Sequence, residues 1–121
     1  MLRRKEKLED IIWLDLDKVE LYGFEKFKHV KVIANMVREI EAEADFPPVY
    51  VAKLENKKYA LSGYYDEVER TLRGDDNYGG HHRALAHWIA GKPLKCQLTK
   101  NYWKISKCNL NIKNIKLRSY K

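Results

Sequence analysis

The chain has 121 residues, 45% of them hydrophobic and 34% charged, with a formal net charge of +7. That length predicts one domain, spanning residues 1–121, with a modest core. No apolar run is long enough to span a bilayer, and the basic start at Met1–Lys7 leads into acidic residues rather than an apolar signal region, so a cytoplasmic protein without a membrane partner is expected.

The charge is unevenly spread. From Asn77 onward there are ten Lys or Arg and no Asp or Glu, whereas residues 1–76 carry a balance of −3. Such asymmetry within one small domain points to a polyanion. Tyr102, Trp103 and Tyr120 lie among the lysines, and flat rings between cations suit base stacking beside phosphate contacts. The expected nucleic-acid-binding residues are therefore Lys92, Lys95, Lys100, Tyr102, Trp103, Lys104, Lys107, Lys113, Lys116 and Arg118, with DNA favoured over RNA. The plainer alternative is a pair of C-terminal strands with solvated lysines. Cys96 and Cys108 lack CxxC spacing, which argues against a zinc site; they read as small apolar fillers in two strands, with a disulfide between those strands as the alternative.

In chain order, residues 1–10 form a charged leader. Ile11 to Leu21 alternates in part and predicts a strand, with Asp17-Lys18 marking a bend, and Tyr22-Gly23-Phe24 connects it onward. From Glu25 to about Ala44 the spacing turns helical, with Val30, Ile33, Ala34, Val37, Ile40 and Ala44 on one face. Pro47-Pro48 is expected to stop that helix. Val49–Leu54 and Lys58–Leu61 read as a hairpin closed by Glu55-Asn56-Lys57. Tyr64 to Arg73 predicts a short helix ended by Gly74, Leu94–Leu98 a strand, and Trp103–Cys108 and Ile112–Leu117 two more. The sum is a single α+β domain.

The stretch richest in chemistry is Gly79-Gly80-His81-His82-Arg83. Leu85, Trp88 and Ile89 follow at i, i+3, i+4 spacing, and Gly91 stands where a helix would end. A glycine turn opening onto a helix start aims backbone N–H groups and the positive end of the dipole into that turn, a natural seat for phosphate. The alternative is a tight turn before an ordinary core helix. In the first turn, His81 and His82 are the candidate catalytic imidazoles, able to exchange protons near neutral pH, and Arg83 supplies a planar fork for phosphate oxygens. His87 reads as structural. The spacing of the four histidines does not match a helical zinc pair.

The order of pieces resembles the ParB/sulfiredoxin family. The family's early I-x-x-D-K-V strand is matched by Trp13-Leu14-Asp15-Leu16-Asp17-Lys18-Val19. Its strand entry is matched by Pro47-Pro48-Val49-Tyr50-Val51, and its G-x-H/R-R signature by Gly80-His81-His82-Arg83-Ala84-Leu85-Ala86. The resemblance covers residues 12–98 and leaves 99–121 as a basic tail. It implies a small mixed sheet with packed helices. It also implies nucleotide phosphates bound at Gly79, Gly80, His81, His82 and Arg83, with Lys31 reaching in from the first long helix; Lys31 as a solvated helix-face residue is the alternative. Sulfiredoxins act through a cysteine at the position of His81, and imidazole cannot form the sulfur–sulfur intermediates of that reaction. ParB proteins bind cytidine nucleotides through a Gly-Glu-Arg-Arg box, of which Gly80 and Arg83 match. The implied cofactor is thus an adenine or cytidine nucleotide, with Mg²⁺. The implied activity is nucleoside triphosphate hydrolysis or DNA cleavage; a nucleotide-dependent small-molecule kinase and a non-catalytic nucleic-acid-binding module are the alternatives. The segment from Ser62 to Asn77 is longer than close relatives carry, and reads either as a lid beside the phosphates or as a plain connecting loop. Its Asp75 and Asp76 are the carboxylates available to Mg²⁺.

Overall fold

The computed structural model of the chain describes residues 11–62, 80–99 and 107–119. Over these residues it is α+β: a six-stranded mixed sheet, a separate two-stranded ribbon and two α-helices. The strands are β1 (Ile11–Leu14), β2 (Glu20–Gly23), β3 (Phe27–His29), β4 (Val49–Glu55), β5 (Lys58–Leu61), β6 (Leu94–Leu98), β7 (Leu110–Asn111) and β8 (Lys116–Arg118). The helices are α1 (Val30–Glu41) and α2 (His81–Ala90). The large sheet runs β1-β6-β4-β5-β2-β7, with β6–β4 and β5–β2 parallel and the other neighbours antiparallel.

Cross-strand partners share a face, so the register places the core. Leu14 lies opposite Leu94, Val49 opposite Cys96 and Val51 opposite Leu61. These residues form one buried cluster with Ile33 of α1, Ala84 and Leu85 of α2, and Ile112 and Ile115 near the C-terminus. The two helices pack on each other over that cluster.

Several predicted elements are divided or moved. The strand expected over Ile11–Leu21 is two strands, because the Asp15 carbonyl accepts from the Lys18 and Val19 N–H groups and Asp15 Oδ1 accepts from the Asp17 N–H. That bend sends the chain from β1, at one edge of the sheet, to β2 near the other. Gly23, expected in a connector, ends β2. The helix expected from Glu25 begins at Val30, because residues 27–29 pair in parallel with β8 and His29 then caps the helix, its Nδ1 accepting from the Lys31 N–H at 3.1 Å.

Proline does not end α1. Glu43, left-handed at φ 65°, closes it: the Glu43 N–H reaches the Ile40 carbonyl and the Ala44 N–H reaches that of Glu39, before Pro47 is met. On the predicted face Ile33 and Ile40 are buried, whereas Ala34 and Ala44 are exposed. The strand expected over Ile112–Leu117 is instead a 3₁₀ turn at Ile112–Asn114 leading into β8. Of the predicted strand Trp103–Cys108 only residues 107 and 108 are described, and they are not in a strand; the predicted helix Tyr64–Arg73 lies outside the described residues. Cys96 is in β6 and Cys108 in irregular backbone, and both are free thiols, so they form no disulfide.

Candidate functional site

Helix α2 starts and stops where its glycines stand. Gly91, left-handed at φ 71°, ends it with its own N–H on the Trp88 carbonyl and the Lys92 N–H on that of His87. Gly80 caps the start at φ 81°, and a Cβ there would lie 2.4 Å from Val49 Cγ1. The glycine therefore does two things: it adopts a backbone conformation that side chains resist, and it lets the helix start press directly on β4. Gly80 has no side chain to cap the first turn. Gly79 lies outside the described residues.

His81 is the first helical residue, and its ring turns inward. It is 1% exposed, packed edge-on to Phe24 with ring centroids 4.6 Å apart. Its Nε2 accepts from the Phe24 N–H at 3.0 Å and the Glu25 N–H at 3.3 Å. Gly23 makes room for it, since a Cβ there would sit 2.5 Å from Nε2. With Nε2 an acceptor twice over, the neutral ring carries its proton on Nδ1. A second proton would set N–H against N–H in a dry site. Burial, then the charge of Lys28 and the neighbouring His82, push the His81 pKa down to about 3. The ring of His81, expected to be catalytic, is thus buried and fastens α2 to the segment after β2. Its spacing from Ala84, Leu85 and Trp88 already put it on the inward face, a signal that the chemical appeal of histidine hides.

His82 and Arg83 complete the first turn, both half-buried. Burial pushes the His82 pKa down to about 4, and the charges of Lys28 and Arg83 lower it further. His82 is thus neutral at pH 7 and sits in a local positive potential. Arg83 Nη1 donates to the Pro47 carbonyl at 2.8 Å and the Pro48 carbonyl at 3.2 Å, tying the helix start to the entry of β4. This is a physical reason for the Pro-Pro to stand where it does: a proline pair offers carbonyls in a stiff, extended segment. His87, one turn on, has Nδ1 2.6 Å from the Arg83 carbonyl and its ring edge-on to Phe46, a structural arrangement. Trp88 Nε1 donates to Asp17 Oδ1 at 3.1 Å, so the Asp17-Lys18 bend is pinned to α2.

The lysine whose charge reaches both imidazoles is Lys28, which no sequence pattern singles out. It is 8% exposed and paired with the Glu25 carboxylate, and burial lowers its pKa. Strand alternation turns Lys28 inward between Phe27 and His29; without knowledge of β3 that direction is invisible. Lys31, expected at the phosphates, is an exposed residue in the first turn of α1.

The described members of the expected nucleic-acid-binding set stand on several elements. Lys92 is exposed beyond Gly91 and Lys95 is half-buried in β6, while Lys116 and Arg118 are exposed on β8, in the other sheet. Lys107 is exposed, and Lys113 Nζ stands 5.9 Å from the Trp88 ring centroid. Lys100, Tyr102, Trp103, Lys104 and Tyr120 lie outside the described residues, as do Asp75 and Asp76. What the fold does assemble is a ribbon: β8 lies beside β3, Arg118 covers the Phe27 ring at 3.4 Å, and Lys26, Phe27, Lys116 and Arg118 are all exposed. Phe27 and Lys26 were missed because their basic and aromatic company comes from 89 positions downstream, Phe27 pairing with Lys116.

Among the described residues no group of three His, Cys, Asp or Glu side chains is placed to hold a metal ion. Burial pushes the Cys108 thiol up to about 11 and the Cys96 thiol further, so both stay protonated at pH 7. No described helix is long and apolar enough to cross a membrane. No protein-family model, no curated protein and no solved structure matches the chain.

Proposed function

We propose that this chain is a phosphate-binding protein of the ParB/sulfiredoxin type, which seats the phosphates of a nucleotide at Gly80–Arg83. The observation that carries the reading is the make-up of the helix start: a glycine cap with Lys28 and Arg83 near a His82 whose pKa is pushed down by burial and then by those two charges. An anion placed there offsets those charges and meets the helix dipole. Bound phosphate also raises the His82 pKa, so binding takes up a proton and strengthens as pH falls from 7 toward 5. With His81 held in the core, His82 is the imidazole left to hand that proton to a leaving oxygen in hydrolysis of a nucleoside triphosphate or of a DNA phosphodiester.

Calorimetric titration of ATP and CTP tests this. The wild type is expected to bind saturably, with uptake of protons at pH 6. His82→Ala is expected to bind about tenfold more weakly, the loss of one hydrogen bond to a charged group. A wild type that binds neither nucleotide overturns the reading.

The β3–β8 ribbon favours a nucleic-acid strand as the macromolecular partner, since Lys116 and Arg118 stand on it beside the Phe27 ring, with Lys26 just before β3. Lys116→Glu with Arg118→Glu should flatten the dependence of log affinity on log salt by roughly two phosphate contacts, a slope change of about 1.8 on duplex DNA. Fluorescence anisotropy of a labelled oligonucleotide reads this; an unaltered slope removes the ribbon from the interface.

A further inference from the structure

Glu25 is shared between two partners. Its Oε1 pairs with the Lys28 ammonium, and its Oε2 stands 3.8 Å from His81 Nδ1. With His81 Nε2 accepting from two backbone N–H groups, Nδ1 carries the proton, and that N–H is buried without a hydrogen-bond partner. A buried donor left unmet is costly, so an arrangement that meets it recovers that free energy. The Glu25 carboxylate, now held by Lys28, offers an acceptor 3.8 Å away. The same Glu25 gives its backbone N–H to the His81 ring, so the Lys28 ammonium is one carboxylate away from the first residue of α2.

We propose that Glu25 is a resident counter-ion which a phosphate displaces: the phosphate at the start of α2 takes the Lys28 ammonium, and Glu25 swings to accept from His81 Nδ1–H. This rests on the phosphate reading above and adds to it a specific lysine and a device for choosing ligands. The resting state keeps Lys28 paired and leaves the His81 N–H unmet, whereas the bound state satisfies both. A doubly charged terminal phosphate competes with a carboxylate for the ammonium, and a singly charged anion such as chloride does so poorly. The lysine of the site is then Lys28, inward on β3, rather than Lys31, exposed on α1.

The two members of the ion pair should respond in opposite directions, which a pair serving stability alone would not do. ATP is titrated into the wild type, Glu25→Gln, Lys28→Met and Lys31→Met, each shown to be folded by circular dichroism and thermal melting. Glu25→Gln is expected to bind ATP about fivefold more tightly, because the competing charge is gone. Lys28→Met is expected to bind about tenfold more weakly, and Lys31→Met within about twofold of wild type. On addition of ATP to the wild type, the His81 Nδ1 proton resonance should move downfield as its hydrogen bond forms. Folded Glu25→Gln that binds ATP no more tightly than wild type overturns the exchange, and because the amide keeps the size of the acid this variant decides even where Lys28→Met does not fold. A wild type that binds neither ATP nor pyrophosphate removes the phosphate reading itself, whereas binding that is unaltered in Glu25→Gln removes only the exchange.

Discussion

Acidification from pH 6.5 toward 4 should strip the fold of much of its stability, through imidazoles rather than through carboxylates alone. His81 has its pKa pushed down from 6.5 to about 3, and His82 to about 4. An imidazole with a depressed native pKa takes its proton more readily in the unfolded chain. Its contribution is therefore complete above pH 6.5 and is lost as pH falls toward the native value. For His81, buried and packed on two backbone N–H groups, the full loss is on the order of 4–5 kcal/mol, a large part of the stability of a domain this size. His82, half-buried, adds a smaller share in the same window, and His87, lowered chiefly by burial, acts in the same direction. With two sites titrating in the unfolded state alone, the slope approaches twice that of a single site. Urea unfolding at a series of pH values checks this. His81→Gln, whose amide oxygen can still accept from Phe24 and Glu25, should flatten the profile by about half. A wild-type profile that is level between pH 6.5 and 4, or a His81→Gln profile as steep as wild type, contradicts the account.

Gly80→Ala should be among the most damaging single substitutions in the chain. The backbone there is left-handed, at φ 81°, which costs a residue with a Cβ about 1–2 kcal/mol. The new methyl would also lie 2.4 Å from Val49 Cγ1, in a buried position of β4 flanked by β5 and β6. Neither β4 nor the helix start can retreat without breaking sheet pairing or the Arg83 contacts to Pro47 and Pro48, so overpacking adds about 1–3 kcal/mol. The total is about 2–5 kcal/mol. Gly91→Ala separates the two causes. Its φ is 71°, but a Cβ there meets nothing within 4 Å, so only the backbone penalty of about 1–2 kcal/mol is expected. Val49→Ala in the Gly80→Ala background should restore part of the loss, although Val49→Ala alone destabilises. Additivity of the two single changes in denaturant unfolding would show that the methyl and Val49 do not meet.

Elements with local punctuation were legible. The β4–β5 hairpin, β6 and α2 follow from alternation or from helical spacing bounded by glycines, and all stand within a residue or two of their expected limits. The amphipathic face of α1 was legible at Ile33, Val37 and Ile40, because long-range packing only reinforces what 3.6-residue periodicity already imposes. The misplaced elements are those whose local pattern is too short or misleading. A three-residue strand such as β3 has no periodicity of its own and exists because β8 pairs with it. The end of α1 rests on a left-handed Glu43, which no composition rule favours.

The candidate site divides in the same way. Residue order alone determined that a glycine turn opens α2, that basic and imidazole groups crowd its first turn, and that a second glycine closes it; these are properties of neighbours in the chain, set by backbone sterics and helix geometry. Only the tertiary structure decided what each side chain there does. It turned His81 into the core, because the backbone N–H groups of Phe24 and Glu25 need an acceptor and Gly23 leaves space for a ring. It gave one nitrogen of Arg83 to the Pro47 and Pro48 carbonyls, and it brought Glu25, with Lys28 paired to it, beside His81 at the helix start. The direction of a side chain depends on which distant strand its own segment pairs with, and that pairing is settled by the burial of the whole chain rather than by any stretch of it.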